Sequence, residues 1–418
     1  MKTHFSIAVL CSIFFVTSSQ AADWPGFRGL DGRGISTAKN LPVEWSQKKN
    51  VKWKFELPGP GNSSPVFWGE RIFVNCATEK GQQRHLYCID RNSGKLRWRR
   101  TVVYREKEIM HKTNPYCGST PVTDGNRIVV WHGSAGLYCY DMEGQELWSQ
   151  SQGKFTHIWG YGSSPVIHKG VIFLNCGPGK RSFMLAVRLS DGEELWRKEE
   201  PGGIDGLKPR MVGSWSTPII VNVNGQDQLI ASMPKRVLAY NPKNGRIIWE
   251  CSGIAGKNGD LVYTSPVVSG NTIVVMGGYH GPSMAIRLGG KGDITHSHVL
   301  WRQADRQPQR IGSGVIVDGY MYMANADDGT VFCIDMEDGK VVWRKRLNGG
   351  AHWGSLILTD RKFYVTGQNG TTHVFRPNPK KYDGIASNEL GETSNSTPAF
   401  ADGEIFIRTW KALYCIAK

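Results

Sequence analysis

The stretch that decides the fold is "LYCIDRNSGKLRW", residues 86–98. An alternating apolar run reaches Asp90, turns, passes Gly94, and sets a Trp four places after the Gly. The phrase returns as "LYCYDMEGQELW" at 137–148. The Gly-to-Trp spacing then recurs in "DGEELW", "NGRIIW" and "DGKVVW", ending at Trp196, Trp249 and Trp343. A longer copy, "GGKGDITHSHVLW", ends at Trp301, and "VKWKFEL" supplies Trp53 with no turn before it. In "RPNPKKYDGIASNEL", Leu390 stands where a Trp is expected.

A second phrase alternates with the first: two small residues, Pro, an apolar residue, then a turn. It reads "SSPVFWG" (63–69), "STPVTDG" (119–125), "SSPVIHKG" (163–170), "STPIIV" (216–221), "TSPVVSG" (264–270) and "STPAFADG" (396–403). Weaker copies are "GSGVIVDG" (312–319) and "GSLILTD" (354–360), which makes eight. Successive copies lie 42 to 56 residues apart. Alternation in β-branched and aromatic residues predicts strands. Gly suits the left-handed turn position, where a Cβ is costly. Four antiparallel strands at this period describe a propeller blade. The chain ends supply complementary pieces. "VKWKFEL" is a lone fourth strand, and "STPAFADGEIFIRTWKALYCIA" is three strands without a fourth. The expectation is therefore an all-β, eight-bladed propeller of four-stranded antiparallel blades, closed by the N-terminal strand completing the C-terminal blade.

The start, "MKTHFSIAVLCSIFFVTSSQAADW", carries Lys2, an apolar run over 5–16, and the small residues Ser19 and Ala21. That order predicts a secretory signal peptide over 1–21. Cys11 follows "AVL" rather than small residues, so it is not read as a lipid-attachment cysteine. A lead-in over 22–50 and the propeller over 51–418 follow. No later run approaches a membrane span, and the mature protein is expected to be exported, to the periplasm or beyond. The net charge of +15 drops only by Lys2 when the leader is removed. For an exported chain this excess favours anionic polysaccharide, lipid headgroups or an acidic cell-envelope protein over nucleic acid as partner. Nine Cys with no CxxC, and no paired His motif, give no zinc site; no metal ligands are assigned.

With these phrases in view, the chain resembles the pyrroloquinoline quinone (PQQ)-like repeat family, the eight-bladed quinoprotein-type propellers. "IDRNSGKLRW" and "IDMEDGKVVW" carry the family's Asp, turn, Gly and Trp. The resemblance covers about residues 51–418. It implies that Trp53, Trp98, Trp148, Trp196, Trp249, Trp301 and Trp343 dock each blade on its neighbour. Cys88, Cys139, Cys333 and Cys415 fall at one repeat position and are read as small core residues. Cys76 and Cys117 are placed to meet across neighbouring blades, and export permits a disulfide there.

In a propeller, the segments before the inner strands and after the second strands open on one face around the channel. Here they include "HIWGYG" (157–162), "MVGSW" (211–215), "LVY" (261–263), "MGGYHG" (276–281), "QRIG" (309–312), "AHWG" (351–354) and "RTWK" (408–411). Candidate ligand residues on that face are Trp159, Trp215, Arg310, His352, Trp353, Arg408 and Trp410. The aromatics suit a flat ring or a sugar face, and the arginines an anionic group. Packing of the same aromatics into a channel plug is the competing reading. Family enzymes carry an adjacent Cys-Cys pair beside the cofactor, and this sequence has none, nor a CxxCH haem motif. The leading expectation is a non-catalytic scaffold that binds a partner or ligand through its channel face. No catalytic residue and no cofactor are assigned. The alternatives are a PQQ-dependent oxidoreductase, which would bring PQQ with calcium, and a polysaccharide-binding module. Within the family, the propeller subunit of the outer-membrane β-barrel assembly machine illustrates the scaffold role.

Overall fold

The computed structural model describes residues 23–179, 181–200, 209–303 and 307–418. The leader over 1–21 lies outside the described residues. The repeat folds into eight four-stranded antiparallel sheets arranged as blades. Blade 1 runs outward from Val66–Trp68 through Arg71–Thr78 and Gln83–Asp90 to Leu96–Val103. Blades 2 to 7 repeat that order over 122–150, 166–199, 219–252, 267–303, 315–346 and 357–389. Blade 8 takes Ala399–Ala401, Glu404–Arg408 and Ala412–Ile416 from the C-terminus and Val51–Glu56 from the N-terminal side. Trp53 stands opposite Cys415, so both ends of the chain share one sheet as the complementary pieces predict.

The Gly-to-Trp spacing has a packing cause. Each Trp reaches into the turn of the next blade. Trp53, Trp98, Trp148, Trp196, Trp301 and Trp343 donate Nε1–H to carbonyls of Arg91, Met142, Leu189, Pro242, Met336 and Asn378, at 2.8 to 3.0 Å. The turn glycine lies directly beneath the indole. Gly339 has φ +73, and a Cβ there would stand 2.5 Å from Trp301 Cε3. Gly94 has the same relation to Trp53, and Gly144 to Trp98. The repeated Gly therefore serves the preceding blade's Trp rather than its own. Trp249 departs from the pattern: it donates to Gln228 Oε1 in its own blade, where blade 5 has the longer turn.

The residue opposite each Trp is small: Cys88, Cys139, Ala186, Ala239, Ala285, Cys333 or Cys415. Cys stands there in blades 8, 1, 2 and 6, and Ala in blades 3, 4 and 5. All eight described cysteines are buried free thiols. The expected Cys76–Cys117 disulfide is absent, and Cys76 Sγ instead bonds the Gly59 carbonyl at 3.1 Å.

Leu390 does not occupy the missing Trp position. The register of blade 7 sets Ala386 opposite Val374, where the other blades carry Trp. The lead-in fills the gap. Trp45 is buried, stacks on Tyr364 with ring centroids 6.4 Å apart, and its backbone N–H donates to Asn388 Oδ1 at 2.8 Å. Upstream, Ile35–Ser36 adds a parallel strand to the inner edge of blade 7. Arg28 donates to the Gly314 carbonyl at 2.5 Å. The lead-in lies against several inner strands: Trp24 exchanges backbone bonds with Phe67, Thr123 donates its N–H to the Pro25 carbonyl, Gly314 receives Arg28, and Leu358 donates its N–H to the Gly34 carbonyl.

The outer strands carry many basic residues. Lys52, Lys54, Arg97, Arg99, Arg100, Arg197, Lys198, Arg302, Arg344, Lys345 and Arg346 all lie there. Charged edges of this kind block pairing with another sheet. Among the described residues, no helix is long and apolar enough to cross a membrane.

Candidate functional site: a two-tier funnel at the channel

The inner strands build the site by simple alternation. In each small-small-Pro phrase, the second small residue is Ser or Thr, and it points into the channel. Ser64 N–H bonds Thr120 Oγ1, Thr120 bonds Ser164, and the relay continues through Thr217, Ser265, Ser313, Ser355 and Thr397. Thr397 N–H returns to Ser64 Oγ at 3.0 Å. Eight bonds of 2.9 to 3.1 Å therefore close a ring around the axis. In six of the eight, a following Pro favours extended backbone at the Ser or Thr.

Two residues earlier, the same strand face supplies an upper tier: Asn62, Gly118, Gly162, Trp215, Tyr263, Ile311, Trp353 and Asn395. Both tiers line one cavity of about 390 Å³. Phe27 of the lead-in closes its floor. The upper tier is two-sided. Trp215 and Tyr263, on blades 4 and 5, face Asn395 and Asn62, on blades 8 and 1, across the ring.

Loops add the rim. Trp159 lies 6.1 Å from Trp215 and 6.5 Å from Tyr279, centroid to centroid. Tyr279 and His280 carry φ of +48 and +66, two successive non-Gly residues in the left-handed region. Such strain needs surrounding structure to hold it and gathers at ligand clamps. Asn114 donates to the carbonyls of Trp159 and Tyr161 at 2.7 and 3.0 Å. Asn62 and Asn395 both donate to the Thr113 carbonyl, at 3.0 and 3.1 Å. The loop that carries His111, Thr113 and Asn114 is pinned from behind by a buried ion pair, Arg84 to Glu108 at 2.7 Å. Amides and aromatics are thus held in place before any ligand arrives.

Of the expected site residues, Trp159, Trp215 and Trp353 line the cavity. Trp410 stands behind it, donating Nε1–H to Asn62 Oδ1 at 3.1 Å. Arg310, His352 and Arg408 are buried away from the cavity lining. Arg310 donates to the Gly281 carbonyl at 2.6 Å, and burial lowers its pKa to about 10. Burial holds His352 down to about 3. Arg408 donates to the Ser63 carbonyl at 3.1 Å, and burial lowers its pKa too. Arg310 and His352 sit one position from the upper tier, so alternation turns them into the blades. Tyr263, Tyr279, Asn62, Asn114 and Asn395 had not been singled out; counting back two from each Ser or Thr identifies three of them.

The donor set does not fit PQQ with calcium. PQQ is a tricarboxylic quinone, and its acid groups call for cationic partners. Calcium takes several oxygen ligands, carboxylates among them. No lining residue is Asp, Glu, Lys or Arg. Among the described residues, no group of three His, Cys, Asp or Glu side chains is placed to hold a metal.

Comparison with known proteins agrees with the geometry of the ring. The chain is 21% identical over 374 residues to a polyvinylalcohol dehydrogenase of Pseudomonas sp, covering 80% of this chain and 52% of that protein. It thus spans about half the length of that relative. It is 21% identical over 359 residues to an outer membrane protein assembly factor BamB of Burkholderia pseudomallei, covering 75% of this chain and 84% of that one. Among solved structures, the quinohemoprotein alcohol dehydrogenase of Comamonas testosteroni superposes with a TM-score of 0.70 at 11% identity, over 96% of this chain and 81% of that one. A sequence model described as outer membrane protein assembly factor BamB matches residues 82–345 and 293–378. Repeat, blade architecture and family match coincide, and the chain belongs to this PQQ-like-repeat propeller family.

Proposed function

We propose that this protein is an exported, non-catalytic propeller of the cell envelope that binds a ligand or a partner's side chains in its channel funnel. The observation that carries the reading is the chemistry of the cavity wall. It offers aromatic faces, amides and hydroxyls, and no carboxylate, ammonium, guanidinium or thiol. Its one imidazole, His111, is engaged through Nδ1 with Thr113 Oγ1 at 2.7 Å. Such a wall binds and orients but has no pair of groups for acid–base or nucleophilic work. The relatives named as assembly factors support a scaffold role in the envelope, and the leader-like start supports export. The dehydrogenase relative and the quinohemoprotein neighbour favour an oxidoreductase as the second reading; the wall chemistry weighs against it.

The test has two arms. Purified protein is incubated with PQQ, calcium and an electron-accepting dye, with primary alcohols and poly(vinyl alcohol) as substrates. A photo-crosslinking residue is placed at Ile158, exposed beside the mouth, or at Lys169 on the opposite face, in the native host. The expected result is no dye reduction, with envelope adducts from position 158 and none from 169. Dye reduction dependent on PQQ would overturn the proposal, as would adducts confined to position 169.

A further inference from the structure

We propose that the funnel takes an uncharged, hydroxyl-rich ring: a neutral saccharide unit, with one face on the aromatic wall and its hydroxyl edge on the amides. This deepens the ligand-binding reading above and rests on it. Three observations combine.

The first is the two-sidedness of the upper tier. Trp215 and Tyr263 on blades 4 and 5 are backed by Trp159 and Tyr279, and the rings touch one another as an arc. Asn62 and Asn395 stand across the channel, side by side on blades 1 and 8. A sugar ring has an apolar C–H face and a rim of hydroxyls, and it needs both kinds of wall. A purely aromatic ligand would leave the amides facing nothing. A purely polar one would waste the arc.

The second is the neutrality of the cavity in a basic protein. With 51 Lys and Arg against 36 Asp and Glu, an anionic ligand would be the expectation from sequence. The basic residues lie elsewhere, some of them on the outer strands, and the lining has none. The two arginines nearest the channel by sequence, Arg310 and Arg408, are spent on backbone carbonyls. An acidic sugar in this cavity would bury its carboxylate without a counter-charge, which is costly.

The third is preorganisation. Asn62, Asn114 and Asn395 are cross-bonded to one another or to fixed carbonyls, and each side-chain oxygen, already accepting one bond from Trp410, Asn62 or Gln368, keeps one lone pair for a ligand. Trp215 Nε1 is fixed on the Gly160 carbonyl at 3.0 Å. The strained Tyr279–His280 pair holds the rim ring over the opening. Fixed walls lower the entropy cost of binding a small ligand. The cavity volume also falls within the range of small-ligand sites, about 300–1,000 Å³.

The test is calorimetric titration of the mature protein with neutral and acidic oligosaccharides. The neutral probes are maltopentaose, cellopentaose, xylopentaose and chitopentaose; the acidic ones are galacturonate and heparin oligomers. Trp353→Ala and Tyr279→Ala remove cavity-lining rings, and unchanged melting temperatures show that the variants fold. Ile311→Trp fills the cavity and gives a second route if an alanine variant fails to fold. The expected result is that at least one neutral probe binds. Affinity should be unchanged between about 50 and about 500 mM salt, fall at least about ten-fold in each alanine variant, and vanish in Ile311→Trp. No binding by any neutral probe would overturn the inference. So would binding that weakens steeply with salt, or binding that survives Ile311→Trp, since either places the sugar on the basic exterior. Crosslinks from position 158 without sugar binding would sink this inference while leaving the scaffold reading standing; loss of both would sink the two together.

Discussion

Replacing Gly339 with Ala tests the packing logic of the whole ring. The new Cβ would lie 2.5 Å from Trp301 Cε3, 2.7 Å from Cδ2 and 2.9 Å from Cζ3, where ordinary contact begins near 3.4 Å. The indole has no room to yield: its Nε1 is bonded to the Met336 carbonyl at 2.8 Å, and the side chain is buried. Two costs add. A non-Gly residue at φ +73 costs roughly 1–2 kcal/mol. Overpacking against a fixed ring costs roughly 1–3 kcal/mol. Gly319 provides the control within the same blade, with φ +80 and nothing within 4 Å of its Cβ. Gly319→Ala should therefore lose only about 1–2 kcal/mol, and Gly339→Ala about 2–5 kcal/mol. The assay is urea unfolding followed by tryptophan fluorescence, comparing midpoints at constant slope. In a Trp301→Leu background the clash is gone, and Gly339→Ala should cost no more than Gly319→Ala does. Equal losses for the two glycines in the parent protein, or no coupling to Trp301, would refute the idea that the repeat spacing exists to seat one blade's Trp on the next blade's glycine.

Ser313→Ala removes the acceptor for the Ser265 N–H in the channel ring. It should cost about 1–3 kcal/mol in the same unfolding assay, and hydrogen exchange at the Ser265 amide should accelerate; an unchanged exchange rate would remove the ring from the list of stabilising devices. The native protein should show no thiol reactive toward a disulfide reagent, and eight in the mature chain after denaturation without reductant. Burial pushes Cys88, Cys117 and Cys139 up to about 12, so they are both inaccessible and protonated. Stability should also fall on acidification. His132 and His352 are each held down to about 3 by burial, against an ordinary value of 6.5. The unfolded chain then binds more protons than the folded one between those values, so stability present above pH 6.5 is lost as pH drops toward 3. His352→Gln should flatten that slope in unfolding curves taken across the window.

The blades were legible in the sequence because one sentence is written many times, and its spacing has a contact behind it. The closure of blade 8 was legible for the same reason: "VKWKFEL" lacks what the C-terminus lacks in reverse. The lead-in was not, because Trp45 substitutes for a residue that blade 7 does not have, and such a long-range loan leaves no periodic trace. Leu390 was misplaced because a longer turn between the third and fourth strands shifts the count in that blade. The funnel was half legible. Trp159, Trp215 and Trp353 were found from their segments, while Arg310 and His352 were drawn in by residue type, although strand alternation from Ser313 and Ser355 already turns them away. Tyr279 depends on a left-handed pair of residues, which composition does not announce.

The shared eighth blade also sets an order of events. Val51–Glu56 is synthesised before Ala412–Ile416, the strand it pairs with, and seven blades lie between them in the chain. Until that strand is made Val51–Glu56 has no partner, while seven sheets can form between the two. The ring shuts only when Ala399–Ile416 folds, bringing Thr397 to Ser64 and giving Val51–Glu56 its sheet partner. A chain cut before Ala399 would therefore lose more than a few strands: it would be an open arc with two unpaired blade edges.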